Sequence, residues 1–402
     1  MQPSLSLQRE NYLLLTLAGI QFINILDFMI MMPLGPILMT SFGMNTHEFG
    51  LLVSSYSFSS AFSGLLAATF VDRFERKRLL LSVSILFGLS TLACGLAPGY
   101  STLIVARGLA GVFGGIMGAM VQTIVGDVIP FERRAHASGV VSTAFSISTV
   151  AGVPLSLWLA NHVGWRVPFI LIAGLAVLFV LIGLRILPEL RQHISTNRLD
   201  HPFAAMFAVL RDINHQHALL FSALIVFAGF TVIPYITLYA VSNVAISQHD
   251  IPFVYLAGGA VTLISARRIG RWADLHGKVK VYRLVAAAAL LPLFAVSQIG
   301  IVPLWLWLIC TTTFFVLVSG RMIPAMAIVT SAAQPKLRGT FMSLNATMQS
   351  FAMGLATTLS GFIITQDGAG KIVGYATVGY IAMTANVLAI LFVSRIVMHH
   401  QK

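Results

Sequence analysis

Charged side chains are scarce in this 402-residue chain: Asp, Glu, Lys and Arg make up 9% of the residues, against 57% that are hydrophobic. A soluble domain carries about 25% charged residues, so this chain lacks the polar material that covers a water-facing surface. The high hydrophobicity also excludes an intrinsically disordered chain. With a soluble domain and a disordered chain excluded, the composition predicts a polytopic membrane protein.

Cysteine is almost absent as well. Cys94 and Cys310 are the only two, and each lies inside an apolar run. Two isolated cysteines make neither a disulfide framework nor a metal-ligand pair, so both are interpreted as small buried apolar residues. The apolar runs also contain no cluster of His, Asp and Glu that could serve as a catalytic or metal centre. We therefore predict no metal, no bound cofactor and no enzymatic activity.

Apolar runs long enough to cross a bilayer recur along the chain. A spanning helix needs about 20 mostly apolar residues, because lipid offers no partners to exposed irregular backbone. Twelve spans are predicted, at residues 12–40, 49–71, 79–97, 101–127, 137–160, 166–187, 217–243, 251–268, 281–299, 303–330, 340–364 and 373–395. A polar stretch divides them into two sets of six. The predicted organisation is an N-terminal domain (1–187), a cytoplasmic linker (188–216) and a C-terminal domain (217–402).

Basic residues outnumber acidic ones, 25 to 13, and are unevenly distributed. With both termini placed in the cytoplasm, twenty-one of the 25 lie in cytoplasmic loops, linker or tails, and Arg107, Arg166, Arg321 and Lys371 do not. The positive-inside rule demands this bias. We therefore predict a multi-pass protein of the plasma (inner) membrane with cytoplasmic termini, and the positive surplus requires no nucleic-acid partner.

The two sets of six spans contain similar sequence landmarks at matching positions. Asp72 follows span 2 and Asp274 follows span 8 in similar basic surroundings, 202 residues apart. Arg133 after span 4 and Arg338 after span 10 are 205 residues apart. Two landmarks at nearly one spacing predict a duplicated unit. The predicted fold is an all-α polytopic membrane protein whose 12 transmembrane helices form two pseudo-symmetric six-helix bundles.

These features resemble the major facilitator superfamily over the whole chain. The family's signature in the loop after span 2 has the form Gly-x-x-x-Asp-Arg-x-Gly-Arg-Lys. The second half of this chain carries it at Gly270, Asp274, Gly277 and Lys278. The first half keeps Asp72, Arg73, Arg76 and Lys77, with Ala68 and Glu75 where the family favours glycine.

Three further motifs resemble the drug- and sugar-efflux-like branch of proton antiporters. Span 4 contains Arg107-Gly108-Leu109-Ala110-Gly111, span 5 contains Gly152-Val153-Pro154-Leu155-Ser156, and span 1 contains Leu26-Asp27 before Pro33 and Pro36. The resemblance implies that the span 5 motif, Gly152 with Pro154, is associated with antiport. Packing and a local bend are the simpler account of it.

The resemblance also implies a conformational latch between the two domains. In this latch Asp72 meets a helix N-terminus, and Asp127 pairs with Arg73 or Arg76. The full set implied is Asp72, Arg73, Arg76, Asp127, Gly270, Asp274 and Gly277. Plain solvation of loop charges is the alternative.

Asp27 is the one acidic residue far inside a predicted span. An ionisable residue at membrane depth is costly to place, so it indicates a functional site. Asp27 is the candidate for proton coupling, with Arg107 within reach as a partner that changes its protonation. A fixed structural ion pair is the alternative for Asp27, and snorkelling to the outer interface is the alternative for Arg107.

Several polar residues inside spans are candidates for substrate binding. Arg321 either binds an anionic or carbonyl-bearing group of the substrate or caps a broken helix. Gln21 and Asn24 share a helix face with Asp27. The series Thr231, Tyr235, Tyr239 and Asn243 in span 7 and the pair Asn345 and Gln349 in span 11 either line the cavity or bridge helices within one half.

The function expected from these features is secondary active transport of a small organic solute by alternating access, as proton-coupled efflux. The partners are then a small-molecule substrate, protons and the lipid bilayer, with a proton gradient as energy source and a monomer as the working unit. Proton-coupled uptake or uniport of a small metabolite is one alternative. A membrane sensor derived from a transporter is another, although such proteins usually add a soluble domain or a long tail.

Overall fold

Helices make up nearly all of the computed structural model, which describes residues 7–70, 74–130, 133–190, 202–334 and 337–398. The first half contains eight helices: α1 (Leu7–Ile30), α2 (Gly35–Phe42), α3 (Thr46–Phe70), α4 (Arg76–Gly95), α5 (Tyr100–Val128), α6 (Arg134–Ile147), α7 (Val153–His162) and α8 (Arg166–Ile186). The second half contains ten: α9 (Pro202–Arg211), α10 (Ile213–Phe230), α11 (Ile236–Ser242), α12 (Ile251–His276), α13 (Lys278–Ala288), α14 (Leu290–Gln298), α15 (Leu304–Gly320), α16 (Met322–Ala332), α17 (Arg338–Ile363) and α18 (Tyr375–Phe392).

These helices supply all twelve predicted spans. Within the described ranges, ten helical segments are both long enough and apolar enough to cross a membrane. The other two spans, 251–268 and 340–364, are the more polar helices α12 and α17, each 26 residues long. A helix of that length is about 39 Å long, which exceeds the hydrocarbon thickness of a bilayer.

Five of the spans are built from two helices each, and a proline accounts for every break. A proline removes one backbone hydrogen bond and clashes with the carbonyl four residues earlier. The breaks lie between α1 and α2, between α6 and α7, between α10 and α11, between α13 and α14, and between α15 and α16. Pro33 and Pro234 lie within their breaks, and Pro154, Pro292 and Pro324 lie in the first turn of the helix that follows. In the α6–α7 break the residues Ser148–Gly152 form a π-helical turn.

Two predicted loops differ from the structure. The linker 188–216 contains the helix α9, and α10 begins at Ile213 because the Asp212 carboxylate caps it, accepting a hydrogen bond from the His215 N–H at 2.9 Å. The predicted loop after span 8 is helical up to His276, so the turn is reduced to Gly277, whose φ of 93° suits glycine. The division into two domains remains a prediction.

An even number of spans places Leu7 and Met398, the first and last described residues, at one end of the bundle, here termed the proximal end; the other is the distal end. At the distal end the chain adds one small hairpin, in which the strand β1 (Thr365–Gln366) pairs antiparallel with β2 (Ile372–Val373). The two halves also meet there. The Thr46 hydroxyl donates to the Ile364 carbonyl at 2.5 Å, and the Tyr235 hydroxyl donates to the Thr46 carbonyl at 3.2 Å.

Two glycines allow this distal contact between α3 and α17. A Cβ added at Gly50 would collide with the Tyr235 hydroxyl and lie 3.1 Å from the Cα of Gly361. A Cβ added at Gly361 would lie 2.7 Å from that hydroxyl. Thr46, Gly50, Tyr235, Gly361 and Ile364 are called the distal gate below. The structure therefore holds the two halves together at their distal end.

Candidate functional site

A cavity of about 710 Å³ lies between the two halves. Its wall is mostly apolar and includes aromatic rings from both halves, among them Phe28, Tyr56, Phe230, Tyr255 and Phe315. Phe28 and Phe230 approach each other across the boundary between the halves, with ring centroids 6.0 Å apart. Pockets of this size and composition typically hold small organic molecules.

A buried ion pair lies behind the cavity wall of the first half. Arg107 Nη1 on α5 is 2.7 Å from Asp27 Oδ2 on α1, and both side chains have 0% exposure. Arg107 therefore does not snorkel to a membrane interface. Asp27 Oδ1 and the Nε and Nη2 atoms of Arg107 have no hydrogen-bond partner among the described residues. A buried pair with unsatisfied atoms is costly to retain, which is a mark of functional sites.

Tyr56 and Asn24 separate this ion pair from the cavity. Both line the cavity, and the Tyr56 hydroxyl donates to Asn24 Oδ1 at 2.6 Å. The Arg107 guanidinium carbon lies 4.7 Å from the centre of the Tyr56 ring. Gly114 leaves space for the arrangement, since a Cβ there would lie 2.7 Å from Asn24 Oδ1. Tyr56 therefore contacts the ion pair on one side and lines the cavity on the other.

The span 5 motif packs against the helix that carries Asp27. A Cβ at Gly152 would lie 2.8 Å from Cδ1 of Leu26, the residue that precedes Asp27. Ser148 opens the π-helical turn and donates its hydroxyl to the Phe22 carbonyl at 3.3 Å. Pro154 lies in the first turn of α7. Span 5 therefore packs directly against the segment of α1 around Asp27.

The second half buries Arg321 at the break between α15 and α16, with 0% exposure. Its Nη1 donates to Asn386 Oδ1 on α18, and its Nη2 donates to the Ile225 carbonyl on α10 at 3.3 Å. Arg321 Nε has no hydrogen-bond partner, and no described carboxylate pairs with this guanidinium. Arg321 is also one of the residues that line the cavity.

The predicted substrate-binding residues fall into two groups. Gln21, Asn24, Arg321 and Gln349 line the cavity. Gln349 Nε2 donates to the Ser222 hydroxyl at 2.8 Å, and Gln21 Oε1 is buried without a partner.

Tyr235, Tyr239 and Asn345 are not among the residues that line the cavity. Tyr235 belongs to the distal gate. Tyr239 donates its hydroxyl to the Ile299 carbonyl at 2.8 Å, and Asn345 is buried with 2% exposure. Equal spacing along span 7 does not place the two tyrosines in the cavity. The span 7 residues that line the cavity end at Ile233, and both tyrosines lie beyond that point, where their hydroxyls bond to other segments.

The predicted latch is represented in part. Arg76 Nε lies 3.0 Å from Asp127 Oδ2 at the proximal end of the first half. Asp72 and Arg73 lie outside the described residues. In the second half Asp274 is exposed and makes no ion pair with a described residue. Gly270 lies inside α12, and Gly277 ends that helix.

Three polar residues of these sites are missing from the sequence-based predictions. Tyr56 covers the Asp27–Arg107 pair. Asn386 accepts from Arg321 and donates to the Ala286 carbonyl at 2.7 Å, and Tyr282 is buried with an unpartnered hydroxyl. Asn386 is an amide within an apolar span, which is a usable signal. Tyr56 and Tyr282 look like ordinary helical aromatics until the fold places an arginine beside them.

The model of the Major Facilitator Superfamily matches residues 17–357 of the chain. The chain belongs to this superfamily. It has the multi-span helical fold predicted from its repeated halves.

Relatives in other organisms carry transporter names. The chain is 29% identical over 171 residues to the "Uncharacterized MFS-type transporter YhcA" of Bacillus subtilis, covering 42% of this chain and 32% of that protein. It is 24% identical to the "Probable sugar efflux transporter" of Mannheimia succiniciproducens, covering 65% and 64%. It is 23% identical to the "Uncharacterized MFS-type transporter YceJ" of Bacillus subtilis, covering 90% of this chain and 92% of that protein. The first two matches thus span less than two thirds of the relatives' length.

Solved structures show the same architecture. A D-xylose–proton symporter has a TM-score of 0.77 at 15% identity, with 98% of each chain covered. The xylose transporter XylE from Escherichia coli, in an inward-open conformation, has a TM-score of 0.75 at 16% identity, with 97% of this chain and 96% of that chain covered. At such low identity the similarity establishes the fold alone.

Proposed function

We propose that this protein is a secondary active transporter that exports a small organic solute by alternating access, in exchange for protons. The observation that carries the proposal is the fully buried Asp27–Arg107 pair behind the wall of a central cavity. The Asp27 carboxylate can gain and lose a proton inside the membrane. When it is protonated, the charge of Arg107 is left without a partner.

The coupling step follows from these contacts. When Asp27 accepts a proton, its attraction to Arg107 weakens, and the Arg107 guanidinium lies against Tyr56. Tyr56 and Asn24 then rearrange in the cavity wall, while the packing of Leu26 on Gly152 passes the change to span 5. Protonation and the shape of the cavity are thereby linked through a continuous set of contacts.

Alternating access requires that the halves part at one end while they close at the other. The distal gate is closed in this structure by hydrogen bonds and by the close approach of Gly50 and Gly361. The packing of α3 on α17 continues beyond the gate, where Phe58 lies against Gly354 and Phe351, so opening must separate that packing as well. The Arg76–Asp127 pair at the proximal end lies within the first half and is intact while the distal gate is closed, so it would hold its own half together in this state.

Direction and orientation are part of the same proposal. Export is supported by the printed name of the Mannheimia relative, and cytoplasmic termini are supported by the distribution of basic residues. Gln21, Asn24 and Gln349 would contact the substrate because they line the cavity. Proton-coupled uptake, or uniport, is the second candidate, because the D-xylose–proton symporter shares the fold.

Transport by the variant Asp27→Asn tests the coupling role. A thermal-stabilisation screen of the purified protein against sugars, nucleosides, amino acids, lipids and drugs first identifies a solute. In proteoliposomes with an imposed proton gradient, Asp27→Asn should abolish gradient-driven accumulation of that solute, while exchange without a gradient partly survives. Asp367→Asn, in the exposed distal hairpin, is the matched control and should behave as the wild type. Undiminished driven accumulation with Asp27→Asn would refute the coupling role.

A further inference from the structure

Arg321 is a buried cation without a carboxylate partner among the described residues. Its side chain has 0% exposure, its bonded partners are the Asn386 amide and the Ile225 carbonyl, and its Nε is unpaired. An uncompensated charge in a low-dielectric interior is unfavourable, and an anion brought next to it relieves that cost. The site therefore has a built-in preference for a negative charge.

The cavity wall carries no opposing charge. Among the described residues that line the cavity, Arg321 is the one that is charged at neutral pH. Asp27 lies behind Tyr56 and is already paired with Arg107. The charge that a solute meets in this cavity is thus positive, and the rest of the wall is apolar or bears neutral hydroxyl and amide groups.

A glycine leaves room between the cavity and the guanidinium. Gly229 on α10 lines the cavity, and a Cβ added there would lie 3.7 Å from Arg321 Nη2. The guanidinium is therefore directly behind a part of the wall that has no side chain. Met322, a flexible residue in the same wall, is next to Arg321 in sequence and can move aside for an entering group.

An exposed groove along α12 extends the positive charge toward the proximal end. It shares Leu263 with the central cavity and is lined by Arg267, Arg268 and Arg271. Clustered charges of one sign raise the local concentration of ions of the opposite sign. An anionic solute arriving from the proximal side would pass these arginines before it reaches Arg321.

We propose that the solute carried by this protein is an amphipathic organic anion. Its carboxylate or sulfonate is held next to Arg321 through the space at Gly229, and its apolar body lies against Phe28, Phe230 and Phe315. This inference rests on the proposed transport function and names the chemical class of its substrate.

Binding by matched probes tests the charge preference. The probes form three sets of three compounds. Each set is built on one apolar body (naphthyl, biphenyl or cyclohexyl), and its three members carry a carboxylate, a carboxamide or a methylammonium head group. Dissociation constants are measured with the purified full-length protein by calorimetry. In at least one set the carboxylate should bind about tenfold tighter than the carboxamide, and the ammonium should bind most weakly. Lack of a carboxylate preference in every set overturns the inference.

Variants then assign the preference to Arg321. Arg321→Gln should remove the advantage of the carboxylate over the carboxamide, and Arg321→Lys should keep part of it. Gly229→Ala meets only ordinary contacts at 3.6–3.7 Å, so it should fold and still weaken carboxylate binding more than carboxamide binding. The control Gly174→Ala adds a Cβ with no neighbour within 4 Å and should change neither. A carboxylate preference that survives both Arg321→Gln and Gly229→Ala overturns the assignment.

The substrate class and the coupling mechanism fail separately. Asp27→Asn should retain the carboxylate preference, because Asp27 does not line the cavity. If that preference is present but Asp27→Asn still drives accumulation, the coupling role fails and the anion inference stands. If Asp27→Asn abolishes driven transport of a solute but no set shows the preference, the anion inference alone fails.

Discussion

Each half of the protein buries one arginine in its fourth span, and the two arginines are neutralised differently. Arg107 in the first half pairs with Asp27 at 2.7 Å, whereas Arg321 in the second half is bonded to the amide of Asn386 and to a backbone carbonyl. A carboxylate partner loses its negative charge when it binds a proton, whereas an amide has no charge to lose. The first half therefore contains a charge that can change, and the second half contains one that is fixed.

The two arginines also lie at different depths. Arg107 is in the distal part of α5, which begins at Tyr100, and Arg321 is at the end of α15, which begins at Leu304. The duplication that shaped the bundle thus does not superpose them. A repeated scaffold carries charges placed independently in each half, which suits a division between proton coupling and substrate binding.

The largest expected effect comes from breaking the Asp27–Arg107 pair. Asp27→Leu or Arg107→Leu alone leaves an unpaired buried charge and should lower the free energy of unfolding by about 3–5 kcal/mol. The double variant should lose less than either single variant, because no charge remains. Denaturant unfolding in mixed micelles measures all three. Additive losses would show that the pair is not coupled.

A smaller loss is expected at Arg321, and it sharpens the contrast. Arg321→Met leaves the acceptors on Asn386 and Ile225 unbonded, at a cost of about 1–3 kcal/mol. Part of that cost is offset because the variant also removes a buried cation that has no carboxylate partner among the described residues. The same unfolding assay compares it with Arg107→Leu. A loss equal to that of Arg107→Leu would contradict the difference between the halves and would point to an acidic partner.

Much of the fold follows from the sequence because the membrane imposes strict rules. Span length, loop charge and the repeated Asp72 and Asp274 landmarks predict the twelve spans, and the signature motifs add the resemblance to the superfamily. The charged pair was also predictable, since Asp27 and Arg107 are rare ionisable residues in apolar spans and their costs demand that they meet. These predictions depend on quantities that a single helix or loop already contains.

The lining of the cavity was less predictable, because it depends on how helices turn relative to one another. The span 7 residues that line the cavity end at Ile233, so Tyr235 and Tyr239 lie beyond the cavity although their spacing matches one helix face. The role of Tyr56 depends on Gly114 in another helix, which provides its space. Interhelical fit of this kind is not encoded in the periodicity of either helix.

The contrast between the halves assumes that they move as units, and the distal gate tests this. Gly50→Val would collide with the Tyr235 hydroxyl and the Gly361 backbone, and overpacking costs about 1–3 kcal/mol. The closed state should lose population roughly tenfold. Spin labels at Ser41→Cys and Ala369→Cys, with Cys94 and Cys310 replaced by Ala, should report longer distances across the distal end.

Gly368→Val is the matched control for the gate. It lies in the distal hairpin region, and an added Cβ there meets no atom within 4 Å, so the label distances should stay as in the wild type. Unchanged distances with Gly50→Val would mean that the glycine contact does not hold the halves together.

The smallest effect is expected at the proximal end, where the Arg76–Asp127 pair is partly solvated. The Asp127 side chain is 37% exposed, and ion pairs in contact with water contribute about 0.2–1 kcal/mol. Asp127→Asn should therefore change the unfolding free energy by no more than that, and added salt should shrink the difference. Asp274→Asn, which removes an exposed unpaired carboxylate, is the control. Asp127→Asn could instead destabilise the protein as much as Asp27→Leu does. The proximal pair would then contribute as much to stability as the buried pair, and the contrast between the buried Asp27 charge and the other charges would not hold.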